Sequence, residues 1–312
     1  MILALVLVAL LAPAAGAEGI RWSDATYDEA LALAQKKNTL ILIDLYSDHC
    51  MQCKDVEEEI WQAAEGAELG EDLIALQISM DSPAGVQFSR RVPVLGLPAV
   101  VFLLPGGEEV GRVQGYRGKM KFMIEARDLK SGIDPLPAME SDLAAHPESM
   151  AIMVDGMEQS LFRKRQAEAQ KLLDRVLALD AAHESSSATK GLTLMAKYHE
   201  YFRGDTKTSL SLWKSLVELY PTSPGVTSGI NGSCKIAVTW GQTAEWIDWI
   251  CKIGAQHPED GRLHYNIAII PYHQGLRHPC LAASARKAKA KGVGPANMDE
   301  IAAELEGAST GK

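Results

Sequence analysis

The chain has 312 residues, 31 Lys and Arg against 40 Asp and Glu, and a formal net charge of -9. That balance argues against nucleic acid as a partner, because a phosphate-binding surface needs clustered basic residues, and the one such cluster, Arg286 to Lys291, is short and reads as a solvated helix face. The length favours two domains over one, and an apolar content of 47% suffices for ordinary globular cores.

The first 17 residues read as a secretory signal: Ile2 to Ala12 is a short apolar run and Ala15-Gly16-Ala17 a small-residue cleavage site. No Lys or Arg precedes the run, so an uncleaved membrane anchor is the alternative. No later segment approaches 18 uninterrupted apolar residues, so a soluble, periplasmic or secreted chain is expected. Export implies a compartment that permits disulfides. With five cysteines, Cys50 and Cys53 form one C-x-x-C, while Cys234, Cys251 and Cys280 allow one further bridge whose pairing stays open.

Residues 22 to 130 alternate helical and strand patterns. Trp22 to Lys37 carries a helical apolar face after a cap at Ser23 or Asp24. Leu40 to Tyr46 is a near-continuous apolar run, as a central strand requires. Cys50-Met51-Gln52-Cys53 follows, and Lys54 to about Glu65 is helical. Leu73 to Met80 reads as a second central strand and Ser82 to Arg91 as a short helix. Ala99 to Leu104 and Glu108 to Gly115 form a hairpin about Pro105-Gly106-Gly107, and Lys119 to Lys130 is a closing helix. This order predicts a mixed sheet flanked by helices.

Ser131 to Met150, with Gly132, Pro135, Pro137, Pro147 and scattered acids, reads as a linker. From residue 151 strand signals vanish. Similar phrases recur at Val176-Leu177-Ala178-Leu179-Asp180, Val217-Glu218-Leu219-Tyr220-Pro221 and Ile253-Gly254-Ala255-Gln256-His257-Pro258, spacings in the range of helix-pair repeats. The stretch from Tyr265 to Gly292 resembles a degenerate tetratricopeptide unit. An irregular helical bundle is the other reading.

A thiol attacks a disulfide only as thiolate, and a helix N-terminus favours that form. Cys50 occupies such a position and is the expected attacking thiol. Cys53, one turn in, is the expected resolving thiol; the pair could also be a static disulfide. Asp44, a carboxylate in an apolar strand, is either a buried acid of raised pKa serving as proton acceptor for Cys53 or a strand-end residue reaching water. Pro98 begins a strand. A cis bond there would free the backbone of Leu97 to pair with an extended substrate, whereas a trans bond is the ordinary case. His49, beside Cys50, either stabilises thiolate as imidazolium or is an exposed neutral side chain. The eight His are scattered without zinc-like spacing, so no metal is expected. Asn231-Gly232-Ser233 fits a glycosylation sequon.

The run from Ile43 to Lys54, with Val94-Leu95-Gly96-Leu97-Pro98 and the Pro105-Gly106-Gly107 turn, resembles the thioredoxin superfamily. Within it, the likeness is to the C-terminal thioredoxin-like domain of the DsbD disulfide reductases. The resemblance covers about residues 20 to 130. It implies a thioredoxin fold, Cys50 as nucleophile, Cys53 as resolving thiol, Asp44 as buried acid and Pro98 as a cis-proline facing the disulfide. His49 stands where the family usually has Trp, and Gln77 where thioredoxins carry a Lys beside the acid. The resulting expectation is a signal peptide (1–17), a thioredoxin-like domain (18–130), a linker (131–150) and an all-α, tetratricopeptide-like domain (151–312). The expected activity is protein disulfide reduction or interchange with no cofactor beyond the Cys50–Cys53 disulfide. Its partners would be protein thiols and disulfides, a separate electron donor or acceptor, and a peptide or protein on the helical domain. A non-catalytic helical scaffold with a thioredoxin-like binding module is the rival.

Overall fold

A computed structural model describes residues 19–307, so the signal sequence expected at 1–17 lies outside the described residues. The chain divides into two compact units. One comprises the residues up to Val86 together with Gly96–Asp134; the other comprises Gln87–Leu95 and the chain from Pro135 onward.

The first unit opens with helix α1 (Tyr27–Lys37). Its cap is Thr26, not the Ser23 or Asp24 expected from sequence. Thr26 Oγ1 accepts from Glu29 N–H while the Glu29 carboxylate accepts from Thr26 N–H, a reciprocal box that satisfies two backbone donors. Ser23 N–H instead donates to Ala75 O, which holds the preceding residues extended. Strand β1 (Ile41–Tyr46) is central in a four-stranded sheet of order β2-β1-β3-β4, with β2 at Ile74–Ser79, β3 at Ala99–Leu103 and β4 at Glu109–Gln114. β1 pairs parallel with β2 and antiparallel with β3, and β3 pairs antiparallel with β4. Neighbours on both edges and packing on both faces explain why five of the six β1 residues are buried.

Side chains alternate across a strand. Leu42 and Asp44 therefore share one face of β1, and Leu42 packs with Val56, Ile60, Trp61 and Phe122. That face is covered by helix α2 (Met51–Val56), which runs directly into a π-helical turn at Glu57–Trp61. The wider turn lets the adjacent Ile60 and Trp61 both be buried while Glu58 and Glu59 stay exposed. Helices α3 (Ala64–Gly70), α4 (Pro83–Ser89) and α5 (Lys119–Lys130) complete the unit, with the last three residues of α4 grouped in the second.

The second unit is all helix. Ten helices follow one another: α6 (Pro135–Ala145), α7 (Met150–Phe162), α8 (Gln166–Leu179), α9 (Ser186–Lys197), α10 (Thr206–Leu219), α11 (Val226–Thr239), α12 (Thr243–Gln256), α13 (Gly261–His273), α14 (Pro279–Ala290) and α15 (Met298–Glu306). The stretch expected as a linker thus contains α6. Ser149, Ser185, Asp205 and Asp260 cap α7, α9, α10 and α13 through side-chain oxygens. The three recurring sequence phrases fall at the ends of α8, α10 and α12, so the repeated element is a pair of helices. Each helix packs chiefly on its sequence neighbours, and α7 with α9 and α11 with α13 also touch. Two apolar clusters result, one centred on Met153, Leu173, Met195 and Trp213, the other on Ile230, Trp246, Ile250 and Leu281. Leu95 belongs to the first of these, and Lys197 Nζ donates to Leu95 O at 3.1 Å. Ser233, the last residue of the sequon, is buried and accepts from Trp246 Nε1 at 2.9 Å. No helix among the described residues is long and apolar enough to cross a membrane.

Candidate functional site

Cys50 and Cys53 form a disulfide with a Cα–Cα separation of 5.2 Å. Cys50 is the N-cap of α2: its backbone is extended, and its Sγ accepts from Cys53 N–H at 3.1 Å. Cys50 O meanwhile accepts from the N–H groups of Cys53 and Lys54. One first-turn donor, Cys53 N–H, is thus directed at the Cys50 sulfur at the positive end of the helix, the arrangement that stabilises a thiolate when the bond is reduced. Cys50 is partly exposed, whereas Cys53 is 7% exposed. Cys50 is therefore the more accessible residue of the pair.

The turn before α2 is tied down locally. Asp81, just past β2, accepts from Ser47 Oγ at 2.7 Å and Asp48 N–H at 3.1 Å. These bonds hold its carboxyl below the usual range, and the nearby His49 adds to the effect. His49 itself is exposed.

Asp44 is 3% exposed, beneath α2 on the face it shares with Leu42. Burial raises its pKa to about 7; the hydrogen bond from Gln77 opposes this, and the charge of Glu57 reinforces it. Gln77 Nε2 donates to Asp44 Oδ2 at 3.2 Å and to Glu57 Oε2 at 3.1 Å, linking the two carboxyls. The register explains the first contact, because Asp44 and Gln77 are direct partners across β1 and β2. The Trp61 indole also favours the ionised acid, although its Nε1 makes no hydrogen bond of standard geometry. A cleft of about 440 Å³ is lined by Asp44, Cys53, Lys54, Glu57 and Gln77 with the β1 end. It gives Asp44 and the inner cysteine a common space that water can enter.

The Leu97–Pro98 peptide is cis. Pro98 is buried, and its carbonyl accepts from Gly115 N–H at 2.8 Å and Gln114 Nε2 at 3.3 Å. Leu97 is partly exposed, and its backbone N–H and C=O make no hydrogen bond among the described residues.

Glu57 and Gln114 were missed by the sequence reading. Glu57 is one of four acids between Asp55 and Glu59 with nothing in the sequence to set it apart, and only the register of β2 shows that Gln77 joins it to Asp44. Gln114 ends a strand with no distinguishing pattern, and only the hairpin pairing of Ala99 with Gln114 brings it to Pro98. Among the remaining cysteines, Cys251 and Cys280 are paired and Cys234 is a free, buried thiol.

Residues 21–105 match the family model described as thioredoxin-like. Together with the mixed sheet and its flanking helices, this makes the segment a thioredoxin-like domain, followed by a long all-helical region. The domain is similar to the thiol:disulfide interchange protein DsbD of Cronobacter sakazakii, 37% identical over 89 residues, which are 27% of this chain and 16% of that protein. It is also similar to DsbD of Klebsiella pneumoniae, 33% identical over 101 residues, 31% of this chain and 17% of that one. The chain thus spans less than a fifth of the length of these curated relatives. Among solved structures, a thioredoxin from Thermus thermophilus matches with 31% identity and a TM-score of 0.33, covering 38% of this chain and 92% of that one.

Proposed function

We propose that this protein is a thiol–disulfide oxidoreductase that reduces or interchanges disulfides of other proteins through Cys50 and Cys53. The observation that carries this reading is the pairing of a partly exposed sulfur at a helix N-terminus with a buried one that shares a cleft with a buried acid of pKa about 7.

In the reducing direction, the Cys50 thiolate attacks one sulfur of a substrate disulfide. The far substrate sulfur leaves as thiolate and takes a proton from water, and a Cys50–substrate mixed disulfide remains. Asp44, ionised, accepts the Cys53 proton through water in the cleft. The Cys53 thiolate then attacks Cys50 Sγ and expels the second substrate sulfur, which is protonated in turn. Two electrons have passed to the substrate and the Cys50–Cys53 disulfide has formed. A separate donor protein must return two electrons for the next cycle. Leu97, whose backbone groups make no hydrogen bond among the described residues, pairs with the extended substrate segment beside Pro98, and exposed His49 flanks the attacking sulfur.

The helical unit, with its pairwise repetition, presents a surface for a partner peptide or protein in the manner of tetratricopeptide arrays. The proposed location is the periplasm or the extracellular space, in keeping with the likeness to an envelope reductase.

Insulin reduction by the full chain tests the reading. Cys50→Ser is expected to bring turnover to background, and Cys53→Ser to accumulate a mixed disulfide visible as a mass adduct. Turnover of the Cys50→Ser protein at the wild-type rate would overturn it.

A further inference from the structure

Away from Cys50, three groups that ligate soft metals converge. Cys251 lies in the last turns of α12, Cys280 is the second residue of α14, and His278 caps that helix. One ligand atom of each lies within 4.8 Å of the others, and all three residues are partly exposed. The local chain explains the gathering. Pro279 begins α14 with its fixed φ, leaving His278 just outside, where its Nδ1 accepts from Cys280 N–H at 3.2 Å. α12 and α14 pack together, and the two cysteines, 29 positions apart, join as a disulfide with Cα atoms 6.1 Å apart. Most helix starts in this unit with a side-chain cap use Ser or Asp oxygens, but α14 uses an imidazole beside two sulfurs.

We propose that Cys251, Cys280 and His278 form a zinc site gated by the oxidation state of the two cysteines. As a disulfide the sulfurs are poor ligands, because the metal ligand is the thiolate. An external dithiol opens the site: it passes two electrons to the Cys251–Cys280 bond and two protons to the sulfurs, and leaves as its own disulfide. A zinc ion then displaces those two protons and takes both thiolates and a His278 ring nitrogen. Two thiolates balance the dication, and a fourth tetrahedral position is left for water. Ligation through Nδ1 releases Cys280 N–H, one of the first-turn donors that helices ordinarily give to water. The ligand set of two sulfurs and one imidazole suits zinc and excludes the hard cations, which take oxygen. Cys234 is fully buried and does not compete.

The test uses the full chain carrying Cys50→Ser and Cys53→Ser, so that no thiol from the other pair binds metal. The protein is reduced with a phosphine, freed of metal by a chelator, and titrated with zinc against a chromogenic competitor, with far-UV circular dichroism confirming its helix content. One zinc per chain in the reduced form and none in the disulfide form is the expected result. His278→Ala, which leaves the disulfide intact, is expected to weaken binding by at least about tenfold. Three results would each overturn the proposal: no zinc bound by the reduced, folded chain; equal binding after Cys251→Ser and Cys280→Ser; or a disulfide that yields to reductant only when the helices unfold.

Discussion

Asp44 is a buried carboxyl that carries a cost in stability and, in the proposed mechanism, a role as proton acceptor. In the unfolded chain it titrates near 3.8, but in the fold at about 7. Between those values the folded state holds a proton that the unfolded state has lost. Stability contributed at this residue therefore falls as pH rises through the window and levels off above about 7. A shift of this size corresponds to roughly 4 kcal/mol. Asp44→Asn removes the titration, so the variant should exceed wild type in stability above pH 7 by up to that amount and match it near pH 4, as urea unfolding at both pH values will show. The same substitution should slow release of the mixed disulfide roughly a hundredfold. It should also abolish the rise in that rate as pH passes through about 7, measured by rapid-quench alkylation. The buried acid and the two cysteines were legible in the sequence because a charge inside an apolar strand and a C-x-x-C at a helix start are local signals. Glu57 and Gln114 were not legible, because their importance arises from strand register, which no short window carries.

Among the elements, strands and helices of strong period were foreseen, whereas their starts were not. Ser23 and Asp24 are as good cap residues as Thr26, and only the Glu29 carboxylate returning to the Thr26 backbone selects the third. Helix α6 escaped because its two prolines suggested a loop, yet both lie in the first turn, where a missing N–H costs little. The close approach of α10 and α11 was also hidden. A Cβ at Gly232 would stand 2.4 Å from the Trp213 ring, and one at Gly229 would stand 2.7 Å from Val217 Cγ2. These glycines pass as weak helix formers in the sequence, but they are what lets the indole lie against the neighbouring helix. Gly232→Ala should therefore destabilise the helical unit by about 1–3 kcal/mol despite its better helix propensity, and a lowered thermal midpoint will register this. If instead the midpoint rises, Trp213 has room to move and the contact is not the constraint described.

At the scale of the whole molecule, the motif that names the fold occupies about a third of the chain, and the recurring phrases correctly marked where every second helix ends. The partition of the chain could not be read, because it is not a single cut. Gln87–Leu95 leaves the thioredoxin-like unit after α4 and is counted with the helices before the chain returns at Gly96. Phe88, Val92 and Leu95 are all buried there. A fragment of residues 19–134 should bind more of a dye that reports exposed apolar surface, and precipitate more readily, than the intact protein. Equal dye binding by fragment and whole would show that the excursion stays buried without the helices from Pro135 onward.

That excursion bears on how such a chain can change over generations. A module joined to its neighbour by one seam can be copied, lost or spliced onto another gene as a cassette. Here Gln87–Leu95, just ahead of Pro98, is grouped with helices encoded after position 134, and Leu95 packs among them, so a break at the apparent seam would part Leu95 from its neighbours. Substitutions at Leu95 should therefore be answered by substitutions in the cluster of Met153 and Met195 that it packs with.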